Sequence, residues 1–187
     1  MRESTRVQTF RRTCVVALLV AQSACEADGD PRCRGLESPP TLQVGGSEWS
    51  SGVFIELGDG DEWLVQVGPM GLQVVLVAVR GRGLYPGDVE AGANWPEVEL
   101  RATADEREIG SSYGGIGFVD ADDLVETRAI MIALHDADCG QNEYQLECYV
   151  GRDLTLEAQI TDVCGNEAAG SLTVSLCNDS SAYPCSN

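Results

Sequence analysis

Lysine is absent from this chain of 187 residues, and histidine occurs only once, as His135. The absence of lysine indicates a GC-rich genome and says nothing about mechanism. A zinc site built on histidine needs more than one imidazole or free thiolates, so a single histidine argues against such a site. We therefore expect His135 to lie at the surface, at the end of the apolar segment that precedes it.

Positive charge is also scarce, because 12 basic residues stand against 30 acidic ones and the formal net charge is −18. Several of the arginines lie near the N-terminus, so removal of an N-terminal signal would leave a still more acidic chain. Such a surface repels nucleic acid and anionic membranes, and it attracts cations. We therefore predict that nucleic acid is not a partner.

The N-terminal segment has the order of a secretory signal peptide. Its arginines are followed by an apolar stretch, residues 15–21, which is too short to span a membrane. Ser23, Ala24 and Cys25 then resemble the lipobox of bacterial lipoproteins, although Gln22 stands where leucine is usual. The resemblance implies a signal peptide at residues 1–24, a lipid on Cys25 and a location at the cell envelope, on its periplasmic or outer-surface face.

The cysteine count agrees with lipidation. Once Cys14 has left with the signal and Cys25 carries the lipid, an even number remains, which in an exported chain indicates a disulfide framework. The six are Cys33, Cys139, Cys148, Cys164, Cys177 and Cys185. Their pairing stays open at this stage, although Cys139 and Cys148 bracket a short polar loop and are the favoured local pair.

The exported chain divides by composition into three parts. Residues 25–42 are rich in proline, glycine and charge, and we predict that they tether the lipid to the domain. Cys33 indicates that this tether is attached back onto the domain. Residues 43–177 are expected to form one β-sandwich, followed by a C-terminal tail at residues 178–187.

Apolar and polar residues alternate in residues 98–102, 154–161 and 172–176, which is typical of strands with one buried face. Residues 72–79 are apolar at both alternations, which predicts a strand that is covered on both faces. We also expect strands at 53–57, 63–67, 127–135 and 146–150, and a flexible Gly- and Ser-rich loop at 110–117. No segment has a convincing helical period, so the pattern predicts an all-β sandwich.

Residues 160–168 read ITDVCGNEA and resemble the closing hairpin of bacterial immunoglobulin-like domains, which often carry a T-D-x-x-G-N turn. Cys164 stands where that turn usually has a small uncharged residue, which indicates an added disulfide at this end. The G-P-x-G turn at residues 68–71 is similar to one in a set of uncharacterised bacterial envelope lipoproteins. These resemblances imply an immunoglobulin-like β-sandwich with disulfides at the cell surface, and they imply no activity.

The loop that follows His135 is the best candidate for a metal site, because calcium prefers carboxylate and amide oxygens. The candidate ligands are Asp136, Asp138, Asn142 and Glu147. Glu147 falls at the twelfth position of an EF-hand that begins at Asp136, but Gln141 occupies the sixth position, where that loop needs glycine. The alternative is a solvated acidic loop closed by a disulfide, and we expect this plain loop, without a cofactor.

Three further patterns bear on activity or binding. Residues 110–114, GSSYG, match the G-x-S-x-G nucleophile elbow, but that motif needs a helix after the turn, and none is predicted there. Paired carboxylates of a glycosidase cannot be singled out among so many acidic residues. Trp49, Trp63 and Trp95 would suit a sugar-stacking platform, and the alternative for them is packing in the core.

The sequence therefore favours a non-catalytic lipoprotein whose sandwich binds an unknown protein or glycan, or serves structural display, at the cell envelope. Two alternatives stay open. One is a calcium-dependent adhesion or carbohydrate-binding module, suggested by the acidic loops and the tryptophans. The other is a hydrolase, which would need a cleft with converging catalytic groups.

Overall fold

The computed structural model describes Cys33 and residues 39–88, 91–115, 118–121, 124–142 and 146–178. These residues contain twelve β-strands in two sheets, and no α-helix occurs among them. Apolar side chains of both sheets form one core, which confirms the predicted β-sandwich and is compatible with an immunoglobulin-like fold. The predicted signal peptide, Cys25 and Cys185 lie outside the described residues.

The five-stranded sheet has the strand order β3-β12-β11-β6-β7. Its neighbouring strands are antiparallel, except that β3 runs parallel to β12. The alternation in β11 works as predicted, because Leu154 and Leu156 are buried while Glu157 and Gln159 are exposed. The strands are β3 (Glu62–Leu64), β6 (Glu97–Ala104), β7 (Arg107–Gly115), β11 (Asp153–Thr161) and β12 (Glu167–Cys177).

The seven-stranded sheet is centred on β5, which pairs with β1, β4, β9 and β10. Every residue of β5 from Val74 to Val79 is fully buried, as predicted for a strand that is covered on both faces. The strands are β1 (Thr41–Ser47), β2 (Phe54–Ile55), β4 (Gln66–Val67), β5 (Gln73–Arg82), β8 (Phe118–Ala121), β9 (Leu124–Thr127) and β10 (Ile130–Ala133).

Trp63 joins the two sheets. Its side chain is 1% exposed, and its indole Nε1 donates a hydrogen bond to the backbone oxygen of Leu76 at 3.1 Å. The indole ring fills the space above Gly46, where a Cβ atom would lie 2.2 Å from two ring carbons. Strand β1 therefore carries glycine at this point because the tryptophan occupies the room that a side chain would need.

The prediction of a flexible loop at residues 110–117 is wrong for residues 110–115, the part of the segment that the structure describes. Residues up to Gly115 belong to β7, the edge strand that pairs with β6, and a register shift interrupts the ladder after Ala102. Glycine and serine have a weak intrinsic preference for strands, but pairing with a neighbouring strand overrides that preference.

Two predicted strands also differ from the structure. Residues 127–135 do not form one strand, because β9 ends at Thr127 and β10 begins at Ile130. At this break the hydroxyl of Thr127 accepts a hydrogen bond from the backbone nitrogen of Val79 at 2.9 Å, so the ladder is interrupted by a side chain. Residues 146–150 contain a short 3-10 helix, Leu146–Cys148, instead of a strand.

Two disulfides and a further bonded cysteine support the predicted framework. Cys33 bonds to Cys164 across 131 residues, which confirms that the segment before β1 is attached to the domain, at the tip of the β11–β12 hairpin. The local pair Cys139–Cys148 is confirmed as well. Cys177 is also disulfide-bonded. Disulfides persist in oxidising compartments, so these bonds indicate a location outside the cytoplasm.

No helix in the described ranges is long and apolar enough to cross a membrane.

Candidate functional site

The candidate site is the outer face of the five-stranded sheet. Because side chains alternate along a strand, residues of four strands, most of them polar, point away from the core and form two rows across the sheet. The first row is Ser111, Arg101, Glu157 and Ser171. The second row is Tyr113, Glu99, Gln159 and Ala169. We call these two rows the outer sheet face.

A groove of about 400 Å³ runs over the outer sheet face. It forms because long side chains on β6 and β11 stand beside Ala169, Gly170 and Ser171 on β12, which are short. Glu157, Gln159, Ala169 and Ser171 are all exposed in the groove. The sheet thus offers a shallow groove at the centre of its outer side, lined by charged and polar side chains and by small residues.

Hydrogen bonds fix the polar side chains beside the groove. The guanidinium of Arg101 donates from Nε to Oε1 of Glu99 at 2.8 Å, and this bond together with the charge of Glu99 raises the pKa of Arg101. The hydroxyl of Tyr113 donates to Oε2 of Glu97 at 3.0 Å, and this bond raises the pKa of Tyr113. Both carboxylates therefore hold a neighbouring side chain in a defined position.

A second hollow, of about 260 Å³, lies at the end of the sheet where the β11–β12 hairpin turns. Asn94, Trp95, Glu97 and Val163 line it, and Trp95 is 40% exposed. Glu97 belongs both to this hollow and to the hydrogen bond with Tyr113. The hollow is thus linked to the outer sheet face through one carboxylate.

Asp162 holds this end of the sheet together. Its buried carboxylate accepts hydrogen bonds from the backbone nitrogens of Tyr85 at 2.7 Å, Cys164 at 2.8 Å and Asn166 at 2.9 Å. The aspartate of the T-D-x-x-G-N turn therefore fixes both the hairpin tip and the loop that follows β5.

The predicted calcium loop is attached to the sandwich by ion pairs centred on one buried carboxylate. Asp136 is 3% exposed, and its carboxylate accepts hydrogen bonds from Nη1 of Arg152 at 2.6 Å and from the backbone nitrogen of Asp138 at 2.9 Å. Nη2 of Arg107 lies 3.7 Å from Asp136, and Arg107 also pairs with Asp138. Nη2 of Arg152 donates to Asp105 at 2.7 Å.

Opposing effects act on the pKa of Asp136. Burial favours the neutral carboxyl and would raise the pKa, but the backbone hydrogen bond from Asp138 and the guanidinium groups of Arg152 and Arg107 favour the charged form. The second group of effects is larger, so the pKa of Asp136 lies below its ordinary value. Asp136 is therefore held as a buried anion.

The structure brings together two of the four residues predicted to bind calcium. Asp136 and Asp138 are neighbours, but both face arginines. Glu147 is exposed on the 3-10 helix Leu146–Cys148, and Asn142 ends the 3-10 helix Ala137–Asn142. Among the described residues, no group of three or more His, Cys, Asp or Glu is placed to hold a metal ion. Calcium binding by this loop stays an untested alternative.

The remaining sequence candidates are dispersed. His135 is exposed, as expected, and lies two residues after the end of β10. Ser112 lies within strand β7, so the G-x-S-x-G segment is not a strand–turn–helix elbow. The three tryptophans do not form one sugar-stacking platform, because Trp63 is in the core, while Trp49 is 53% exposed and Trp95 is 40% exposed.

Sequence reasoning missed the outer sheet face as a site. Its signal was present, because the polar positions of β6 and β11 could be identified by alternation, and Ala169 and Ser171 are short residues at matching positions of β12. The groove, however, depends on the register between β6 and β11, which are far apart in sequence. The alternation alone does not supply that register.

No family model and no curated protein matches this chain. Among solved structures, the chain is similar to a DUF4466 family protein from Parabacteroides merdae, with a TM-score of 0.29 and 8% sequence identity. The similarity covers 72% of this chain and 43% of that protein, so the chain spans less than half the length of the protein it matches. A similarity of this size supports no inference about function.

Proposed function

We propose that this chain is an exported, non-catalytic binding protein, anchored at the cell envelope by a lipid on Cys25, and that the outer sheet face is its binding surface. The resemblance of Ser23, Ala24 and Cys25 to a lipobox supports the anchor. The disulfides support export into an oxidising compartment.

The groove carries this proposal. Its volume of about 400 Å³ lies within the usual range for binding sites, about 300–1,000 Å³. Its walls hold a guanidinium, carboxylates and an amide, which fix the orientation of a ligand through directional hydrogen bonds. The side chains of Arg101 and Glu99 already hold each other, so less conformational entropy is lost when a ligand binds.

The G-x-S-x-G segment does not have the geometry that the hydrolase alternative would need. In the nucleophile elbow the serine projects from a sharp turn between a strand and a helix. Here Ser112 lies in the middle of an edge strand that pairs with β6. A hydrolase activity of the chain that is abolished by Ser112→Ala or His135→Ala would contradict this part of the proposal.

Filling the groove is expected to abolish attachment to the cell envelope. In a chain that carries Cys25→Ser, which removes the lipid, we expect Ala169→Trp to reduce retention by isolated envelopes at least tenfold. The indole would occupy the groove while its Cα stays on the exposed side of β12. Retention is measured by sedimentation of the envelopes with the disulfide-bonded chain.

Val67→Trp is the matched control, because Val67 is 57% exposed on β4 of the other sheet. This variant is expected to bind envelopes as well as the parent chain. Circular dichroism establishes that both variants are folded. Equal retention of the Ala169→Trp variant and its parent, or no retention of the parent, would show that the outer sheet face is not the binding surface.

A further inference from the structure

We infer that the ligand of the outer sheet face is an uncharged polysaccharide; this inference rests on the proposed function and names the ligand class. The face and the hollow beside it combine exposed aromatic rings, paired donors and acceptors of hydrogen bonds, and a negative surface. Each of these three properties restricts the ligand in a different way.

Two aromatic side chains are exposed beside the groove. Tyr113 is 70% exposed and lies opposite Glu99 in the second row, and Trp95 is 40% exposed in the adjoining hollow. An exposed ring is ordinary by itself, as Trp49 at 53% shows, and these two rings differ from it by lying beside the groove and the hollow. Such rings present a flat apolar face with a polar edge, which suits the C–H face of a sugar ring.

The two rings are connected by polar groups. The hydroxyl of Tyr113 bonds to Glu97, and Glu97 lines the hollow of Trp95. From Glu97 to Arg101 the strand advances about 14 Å, since each residue adds about 3.4 Å. The combined surface is therefore elongated, and it fits an extended chain of sugar units better than a single small molecule.

The polar groups of the groove match hydroxyl groups. A hydroxyl both donates and accepts hydrogen bonds, and the groove offers donors on Arg101, acceptors on Glu157 and both on Gln159. Neighbouring hydroxyls of a sugar ring can therefore be satisfied by side chains that already stand side by side in the two rows. A purely apolar ligand would leave these polar groups without partners.

The negative charge of this surface determines which polysaccharides can bind. Glu97, Glu99, Glu157 and Glu167 lie on this side of the sheet with one arginine, Arg101, and the whole chain has a formal net charge of −18. Anionic polymers are therefore repelled.

A basic peptide is the competing ligand, because carboxylates attract cations. Glu97 and Glu99, however, are the carboxylates nearest Tyr113, and they already accept hydrogen bonds from Tyr113 and Arg101. Arg101 also places a positive charge in the groove. The presence of donors as well as acceptors favours an uncharged ligand rich in hydroxyl groups.

Affinity electrophoresis of the full exported chain, with its disulfides formed, tests this inference. The probes are laminarin, dextran, mannan and xylan as uncharged glycans, alginate as an anionic glycan, and an arginine-rich peptide measured by calorimetry. We expect at least one uncharged glycan to retard the chain, alginate to have no effect, and retardation to be insensitive to salt. Tyr113→Ala and Gln159→Ala are each expected to weaken that binding at least tenfold.

Trp49→Ala is the control, since Trp49 is an exposed tryptophan that lies outside the outer sheet face, and this variant should bind as the parent does. Retardation by none of the uncharged glycans, salt-sensitive binding of the arginine-rich peptide alone, or an equal loss in the Trp49→Ala variant would overturn the inference. If Ala169→Trp abolishes envelope retention while no uncharged glycan binds, the proposed function stands and only the ligand class is wrong.

Discussion

Replacing Cys33 and Cys164 by serine is expected to lower the free energy of unfolding by about 4 to 5 kcal/mol, which is a large part of the stability of a domain. The reason lies in the unfolded chain. The bond joins residues 131 apart, and such a long loop loses much conformational entropy when its ends are tied. Removing the bond returns that entropy to the unfolded state. Denaturant unfolding of the oxidised proteins measures the difference.

The Cys139–Cys148 bond supplies the matched comparison. It spans only 9 residues, so the same entropic argument gives about 2 to 3 kcal/mol for the variant with serine at both positions. Each variant loses one disulfide and gains two serines, so the chemical change is equal. A loss from the short loop that equals or exceeds the loss from the long loop would contradict the entropic explanation.

Replacement of Asp136 by alanine is the second large effect, with an expected loss of about 3 kcal/mol in the free energy of unfolding. The carboxylate is buried and bonded to Arg152, and its removal leaves that guanidinium without its buried partner. The backbone nitrogen of Asp138 loses its acceptor as well. Thermal or denaturant unfolding at neutral pH measures the loss.

Asp105→Ala is the control for this variant. Asp105 bonds to the other nitrogen of Arg152, but its side chain is 72% exposed, so water replaces it readily and the loss is expected to be much smaller. Similar losses from the two variants would mean that the buried ion pair is not what attaches the loop to the sandwich.

The pH dependence of stability follows from the lowered pKa of Asp136. A carboxyl whose pKa is lower in the folded state stabilises the fold above its unfolded pKa, near 3.8, and that contribution is lost as the pH falls through the folded pKa. The difference in stability between the parent and an Asp136→Asn variant should therefore be constant above about pH 5 and shrink below about pH 4. A difference that grows in acid would have the wrong sign.

Alternation of polar and apolar residues was enough to predict β6, β11 and β12, because each of these strands has one face in the core and one in water. The same rule identified β5, in which both faces are buried. Strand β1 was missed because Gly45 and Gly46 weaken its pattern, and those glycines are required by Phe54 and Trp63, which occupy the space of a Cβ atom. Contacts between distant segments determine such residues, and a local pattern does not reveal them.

The disulfides and the outer sheet face show the same limit. Cys33 indicated that the segment before the domain is attached to it, but the partner, Cys164, depends on where the hairpin tip lies in space. The outer sheet face likewise depends on the pairing of Glu99 with Gln159 and of Arg101 with Glu157. These pairs come from strands about sixty residues apart, so their side chains form one surface only after the sheet has assembled.

The central claim is that the outer sheet face contacts a component of the cell envelope, and photo-crosslinking in intact cells tests it most directly. A benzophenone amino acid in place of Ser111, which is exposed at the end of the first row, is expected to form an adduct with an envelope component. The same amino acid in place of Val67, on the other sheet, is expected to form none. Adducts from Val67 alone, or from neither position, would contradict the account.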